Sequence, residues 1–183
     1  PKALLPRNKA CLRLPGIDGK AKMSKSLNNC IYLSDSADEV NAKIMRMYTD
    51  PQHLRVSDPG RVDGNPVFTY LDAFGCDEHF PRYLPEYQNL DELKDHYRRG
   101  GLGDVKVKRL LASIMQEELK PIRQRRHAWE GRIDEIGAIL QAGCEKAQET
   151  AASTLMQVKA VMKIDYFQDG QWVAEQLAKH RQR

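Results

Sequence analysis

Lys22 and Lys25 stand three residues apart in the string Lys22-Met23-Ser24-Lys25-Ser26, with a hydroxyl before and after the second lysine. Two ammonium groups and two hydroxyls can donate to several phosphate oxygens at once. Gly16 and Gly19 precede the string, and glycine leaves a backbone free to close over a ligand and reopen. A phosphoryl group in transfer gathers negative charge, which lysines on such a segment can neutralise in the transition state. The plainer alternative is a solvated Lys/Ser loop without a role.

A second group of cations surrounds Pro121: Lys120, Arg123, Arg125 and Arg126, with His127 beside them. The planar, forked guanidinium suits phosphates and base edges, which makes Arg123, Arg125 and Arg126 candidates for RNA contact. A solvated turn after a long helix would have the same composition. Lys106, Lys108 and Arg109 are expected on the outer face of that helix. Tyr166, Phe167 and Trp172 could stack on an unpaired base, although docking on neighbouring helices is the commoner use of aromatics. His53, His79, His96 and His180 show no partner pattern for catalysis and read as surface or satisfied residues. Asp77-Glu78 and Asp91-Glu92 fit helix starts, where the dipole favours acids. Cys11, Cys30, Cys76 and Cys144 are spaced too widely for a zinc site or a disulfide framework, so four reduced thiols and no metal ligands are expected.

The elements that must position these groups read as mainly α. Ser36-Ala37-Asp38-Glu39 predicts a capping box, followed by Val40, Ile44 and Met47 at helical spacing. Pro51 ends that pattern. Asn65-Pro66 predicts an N-cap and first helical residue, with Phe68, Leu71 and Phe74 on one face before Gly75. A short helix is expected over residues 91–99, ended by Gly100-Gly101. The longest pattern starts at Asp104, where Val107, Leu110, Leu111, Ile114, Met115, Leu119 and Ile122 recur at helical spacing, with a kink expected at Pro121. Ile133, Ile136 and Leu140 predict a further helix closed by Gly143, and Ala147, Ala151, Leu155, Val158 and Met162 the next. A last helix is expected from Trp172. Cys30-Ile31-Tyr32-Leu33 is the only strand candidate.

The 183 residues carry 29 Lys+Arg and 25 Asp+Glu, and 41% are hydrophobic, which is globular rather than disordered. The charge is unevenly divided: residues 1–33 hold seven basic and one acidic residue, residues 34–103 eight and thirteen, residues 104–132 eight and four. Two basic zones flanking an acidic stretch suggest two places for a polyanion. No apolar run approaches membrane-spanning length and the mean hydropathy is −0.63, so a soluble, cytoplasmic chain without a secretion signal or membrane partner is expected.

Lys22-Met23-Ser24-Lys25-Ser26 is the KMSKS motif of class I aminoacyl-tRNA synthetases, and the longer strings resemble the tryptophanyl-tRNA synthetase family. Those strings include Leu14-Pro15-Gly16-Ile17-Asp18-Gly19, Met45-Arg46-Met47-Tyr48-Thr49-Asp50-Pro51, Asn65-Pro66-Val67-Phe68-Thr69-Tyr70-Leu71, Gly103-Asp104-Val105-Lys106, Leu119-Lys120-Pro121-Ile122-Arg123 and Ala142-Gly143-Cys144-Glu145-Lys146-Ala147. Together they span residues 12–165 in family order. The resemblance implies activation of tryptophan with ATP and magnesium, then transfer to tRNA(Trp), by a homodimer that binds no DNA. It makes Lys22 and Lys25 the catalytic phosphate ligands, with Gly19, Met23, Ser24 and Ser26 completing the ATP loop. It also implies three parts. Residues 1–33 would be the end of a Rossmann-type nucleotide-binding domain, 34–169 a helical linker and anticodon-binding bundle, and 170–183 a tail helix. The family's HIGH-type motif and tryptophan pocket do not occur in the chain, so a C-terminal portion, inactive alone, is expected. The equivalent part of a tyrosyl-tRNA synthetase and a stand-alone helical tRNA-binding module without catalysis are the alternatives.

Overall fold

The computed structural model describes residues 2–6, 8–166 and 170–181. Among the described residues seven α-helices follow two short 3-10 turns, Lys9–Leu12 and Lys25–Leu27. They are α1 (Ala37–Met45), α2 (Pro66–Phe74), α3 (His79–Tyr83), α4 (Leu90–Arg99), α5 (Asp104–Glu130), α6 (Ile133–Met162) and α7 (Gly170–Arg181). Among the described residues there is no strand. Residues 30–33 have no partner segment to pair with, and the one bridge joins Pro15 to Lys22. The chain divides into two compact units between Ala128 and Trp129.

Local signals start the helices of the first unit. Ser36 Oγ accepts the Glu39 N–H at 3.2 Å, and the Ser36 N–H donates to Glu39 Oε2 at 2.7 Å, a reciprocal cap on α1. Asn65 Oδ1 accepts the Val67 N–H ahead of α2, and Asn89 Oδ1 accepts the Glu92 N–H ahead of α4. Gly100, at φ 87°, ends α4 in a conformation that side chains avoid. The expected acids Asp91 and Glu92 occupy the first turn of α4.

Long-range packing then fixes the unit. Val40 and Ile44 of α1, Phe68 and Leu71 of α2, Leu93 and Tyr97 of α4, and Leu111 and Ile114 of α5 share one buried cluster. Each such side chain contributes about 1.5–3 kcal/mol on leaving water. Lys108 lies inside this unit rather than on the outer face expected of it. It is 8% exposed, and its ammonium donates to the carbonyls of Met45 at 3.0 Å and Met47 at 2.8 Å, where α1 ends. Burial pushes its pKa down against the opposing pull of Asp104. His53 also departs from expectation. Its ring is buried edge-on against Tyr97 with centroids 4.7 Å apart, neither nitrogen has a hydrogen-bond partner, and Nδ1 lies 3.6 Å from Asp104 Oδ1. His79 and His96 are satisfied, by the Cys76 N–H and the Tyr87 hydroxyl respectively. The four cysteines are free thiols.

α5 continues through Pro121 to Glu130 without a break. In the second unit α6 is one helix of 30 residues, so Gly143 does not close it. The stop expected there fails because Gly143 keeps helical geometry between good helix formers, which outweigh a cost of about 1 kcal/mol. Lys163, left-handed at φ 54°, ends α6 instead. Tyr166 and Trp172 stack on one another, centroids 5.0 Å apart, and both remain exposed rather than docked on a bundle. Phe167 lies outside the described residues. None of the described residues from Trp129 to Arg181 is buried. Among the described residues no helix is long and apolar enough to cross a membrane.

Candidate functional site

The Lys/Ser string sits on a small closed loop of the first unit. The Gly16 N–H donates to the Ala21 carbonyl at 2.7 Å and the Gly19 N–H to the Gly16 carbonyl at 2.9 Å, which brings Lys22 back beside Pro15. Gly19 takes φ 67° there. Met23 is half-buried. The Tyr70 hydroxyl, from α2, lies 3.4 Å from its sulfur and 2.8 Å from the Pro15 carbonyl oxygen. Burial, with the nearby Cys30 adding to it, pushes the Tyr70 phenol well above its ordinary pKa, so that hydroxyl stays a donor. Ser24 and Ser26 hydroxyls are 2.9 Å apart. Lys25 and Ser26 lie in the 3-10 turn that follows Ser24.

The two ammonium groups project outward. Lys22 and Lys25 are both exposed, and among the described residues neither pairs with a carboxylate. Asp18, the one acid of this region, is engaged elsewhere, by the Asn29 amide at 3.2 Å and the Lys20 N–H at 3.3 Å. Burial opposes its ionisation, yet these donors, with the Ala21 N–H, hold its carboxyl below the usual value. An open cleft of about 360 Å³ adjoins the loop, with Gly19, Lys20, Tyr48, Gln52, Arg61 and Asp63 on its wall. The two lysines can neutralise a polyanion without competition from Asp18, the loop's own carboxylate.

The arginines around Pro121 are not equivalent. Arg123 turns inward: Nη2 donates to Gln116 Oε1 at 2.6 Å, and Gln116 in turn donates to the Ala37 carbonyl and Asn41 Oδ1 of α1. Its Nη1 is buried without a hydrogen-bond partner. Arg125 and Arg126 are exposed, as are Lys120 and His127. Sequence reasoning missed Asn29 and Tyr70, which lie next to or far from the motif without any chemistry of their own. The signal for Tyr70 is absent from the local sequence. For Lys108 it was present, because position 108 falls on the same helical stripe as Leu111 and Met115.

The profile of the family described as tRNA synthetases class I (W and Y) matches residues 1–120. The tryptophan–tRNA ligase of Clostridium longisporum is 53% identical over 167 residues, which are 91% of this chain and 46% of that protein. That of Streptococcus mutans is 52% identical over 167 residues, 91% of this chain and 47% of the relative. The chain thus spans about half the length of the curated relatives it matches. A tryptophanyl-tRNA synthetase of Campylobacter jejuni, solved with ADP and tryptophan, superposes with a TM-score of 0.64 at 23% identity, over 82% of this chain and 43% of that one.

Proposed function

The chain belongs to the class I tRNA synthetases of the tryptophan and tyrosine type, and from that premise we propose that it supplies the ATP-phosphate loop and tRNA-binding helices of a tryptophan–tRNA ligase. The named relatives, all tryptophan enzymes, favour tryptophan over tyrosine. In the reaction, the tryptophan carboxylate attacks the α-phosphorus of ATP, pyrophosphate leaves, and the tryptophanyl group passes to the terminal ribose of tRNA(Trp). The observation that carries the proposal is the pair of exposed ammonium groups, Lys22 and Lys25, unpaired among the described residues, on a loop held by the buried side chains of Asn29 and Tyr70.

Lys22 and Lys25 would take the charge that builds on the departing pyrophosphate, and a contact that strengthens as the charge develops raises the rate. Gly19, Met23, Ser24 and Ser26 would shape and hold the loop around it. Magnesium would arrive on the ATP phosphates, whose oxygens and waters supply most of its shell; among the described residues no three His, Cys, Asp or Glu side chains gather as ligands of their own. It enters no step assigned to them. Residues 1–33 would belong to the nucleotide-binding domain, residues 34–169 to the linker and anticodon-binding helices, and residues 170–183 to the tail. Arg125 and Arg126 would meet tRNA backbone, with Arg123 holding α5 to α1 behind them. A cytoplasmic homodimer completes the proposal.

Binding of the chain to tRNA(Trp) and to an anticodon-altered copy, across a salt series, tests the RNA half. Preference for the native anticodon, with affinity falling as salt rises, is expected. Equal weak binding to both would remove the anticodon assignment. Pyrophosphate titration tests the loop: Lys22→Ala and Lys25→Ala should each weaken binding roughly tenfold or more, the scale of one charge-assisted contact. Tryptophan-dependent ATP–pyrophosphate exchange by the chain alone is expected to be absent.

A further inference from the structure

Asn29 uses its whole side-chain amide inside the loop that carries the two lysines. The residue is 2% exposed. Its NH2 group reaches Asp18 Oδ2 at 3.2 Å and the Lys22 carbonyl at 3.3 Å. Its oxygen accepts the Ser24 N–H at 2.7 Å and faces the Cys30 thiol at 3.8 Å. An amide has two donor hydrogens and two acceptor lone pairs, so this one is fully engaged. The backbone adds a further tie, from the Ile17 N–H to the Asn29 carbonyl at 3.0 Å. Two of the side-chain bonds grip the main chain on either side of Met23, the stretch from which Lys22 and Lys25 project. The fit is close, because a Cβ on Gly16 would lie 2.2 Å from the Asn29 amide nitrogen.

We infer that Asn29 is a positioning residue for Lys22 and Lys25: one buried amide, bonded at once to the Lys22 carbonyl and the Ser24 N–H, sets the backbone from which both ammonium groups meet a polyphosphate. This rests on the phosphate-loop reading proposed above. The binding geometry is built before the ligand arrives, which lowers the ordering cost of closing two mobile lysines on it. A carboxylate of the same shape cannot replace the amide. Asn29→Asp removes both donors and sets a second negative group against Asp18.

The test titrates inorganic pyrophosphate into the parent chain, Asn29→Asp, Lys22→Ala and Lys25→Ala, with backbone amide exchange followed by NMR. At neutral pH Asn29→Asp should bind about tenfold more weakly or worse, the scale of two lost hydrogen bonds, one of them to the Asp18 carboxylate. Its Ser24 amide should exchange faster while helical circular dichroism stays at the parent level. Towards acid, where the two carboxyls at positions 18 and 29 can share a proton, its affinity relative to the parent should recover; in the lysine variants it should not. Parent-like affinity in Asn29→Asp, or a loss that neither recovers in acid nor changes Ser24 exchange, overturns the inference. Should Asn29→Asp fail to fold, Gly16→Ala decides, since it keeps the amide and displaces it together with the Asp18 carboxylate it donates to. The same weakening is expected there, whereas parent-like binding, or failure of both variants to fold, overturns it. If the lysine variants bind pyrophosphate as the parent does, the phosphate-loop reading fails, and Ser24 exchange still reports whether Asn29 holds the loop.

Discussion

Residues 40–119 and residues 129–181 are both mainly helical, and they hold their helices by different means. In the first stretch apolar side chains from five helices enter one cluster, and even a lysine is drawn in and satisfied by two carbonyls. In the second, Ile133, Leu140, Leu155, Val161 and Leu177 are all more than half exposed. Their helices rest on intrinsic propensity and on local pairs such as Gln141 with Glu145 one turn on. A helix sustained by tertiary burial tolerates a poor local signal. One sustained by propensity answers mainly to the residues along its own length.

That contrast sets the order of expected effects. Phe68→Ala or Leu71→Ala should cost about 3–5 kcal/mol in urea unfolding, a lost core side chain plus the cavity left behind. Leu140→Ala or Val161→Ala should stay within about 0.5 kcal/mol. A comparable loss at Leu140 would break the contrast by showing that α6 packs in solution. Lys108→Met should cost about 2 kcal/mol because it strands two buried carbonyls, while Lys146→Met in α6 should change stability little. Raised pH should weaken the first unit selectively. Burial, reinforced by Asp104, holds the Tyr97 phenol above its usual value of 10.0, and burial does the same for Tyr70. Their folded pKa values are raised, so the stabilisation is complete below about pH 10 and falls as pH rises beyond it. Tyr97→Phe should flatten that alkaline limb in thermal melts. Gly143→Ala should stabilise α6 by about 0.5–1 kcal/mol, since nothing lies within 4 Å of the added carbon. Rising helical circular dichroism would confirm it, and a fall would show a partner against that face.

What the sequence made legible follows the same division. Ser36, Asn65 and Gly100 act on the chain within four residues, so the starts of α1 and α2 and the stop of α4 could be read directly. By contrast, α1 ends at Met45, ahead of the expected stop at Pro51, and α4, capped by Asn89, starts one residue before the expected Asp91. The motif lysines were legible as a string of types. Their geometry was not, because Tyr70 reaches Pro15 across 55 positions and Asn29 closes its contacts only after the loop has turned. Arg123 was indistinguishable from Arg125 in type, and only Gln116 and α1 make it an inward residue. Gly143 misled for a physical reason: glycine permits a stop without compelling one. The exposed state of α6 had no signal at all, since its apolar spacing is the same as that of a buried helix.

Burial is uneven along α5. Its N-terminal turns, from Val107 to Leu119, are set in the core and tied to the end of α1 by Lys108, while residues past Arg123 are exposed. A helix of 27 residues is about 40 Å long. It therefore behaves as a lever with a long buried arm and a short exposed one. A tilt of about ten degrees at the buried turns would carry the far end, about 17 Å beyond Leu119, through about 3 Å.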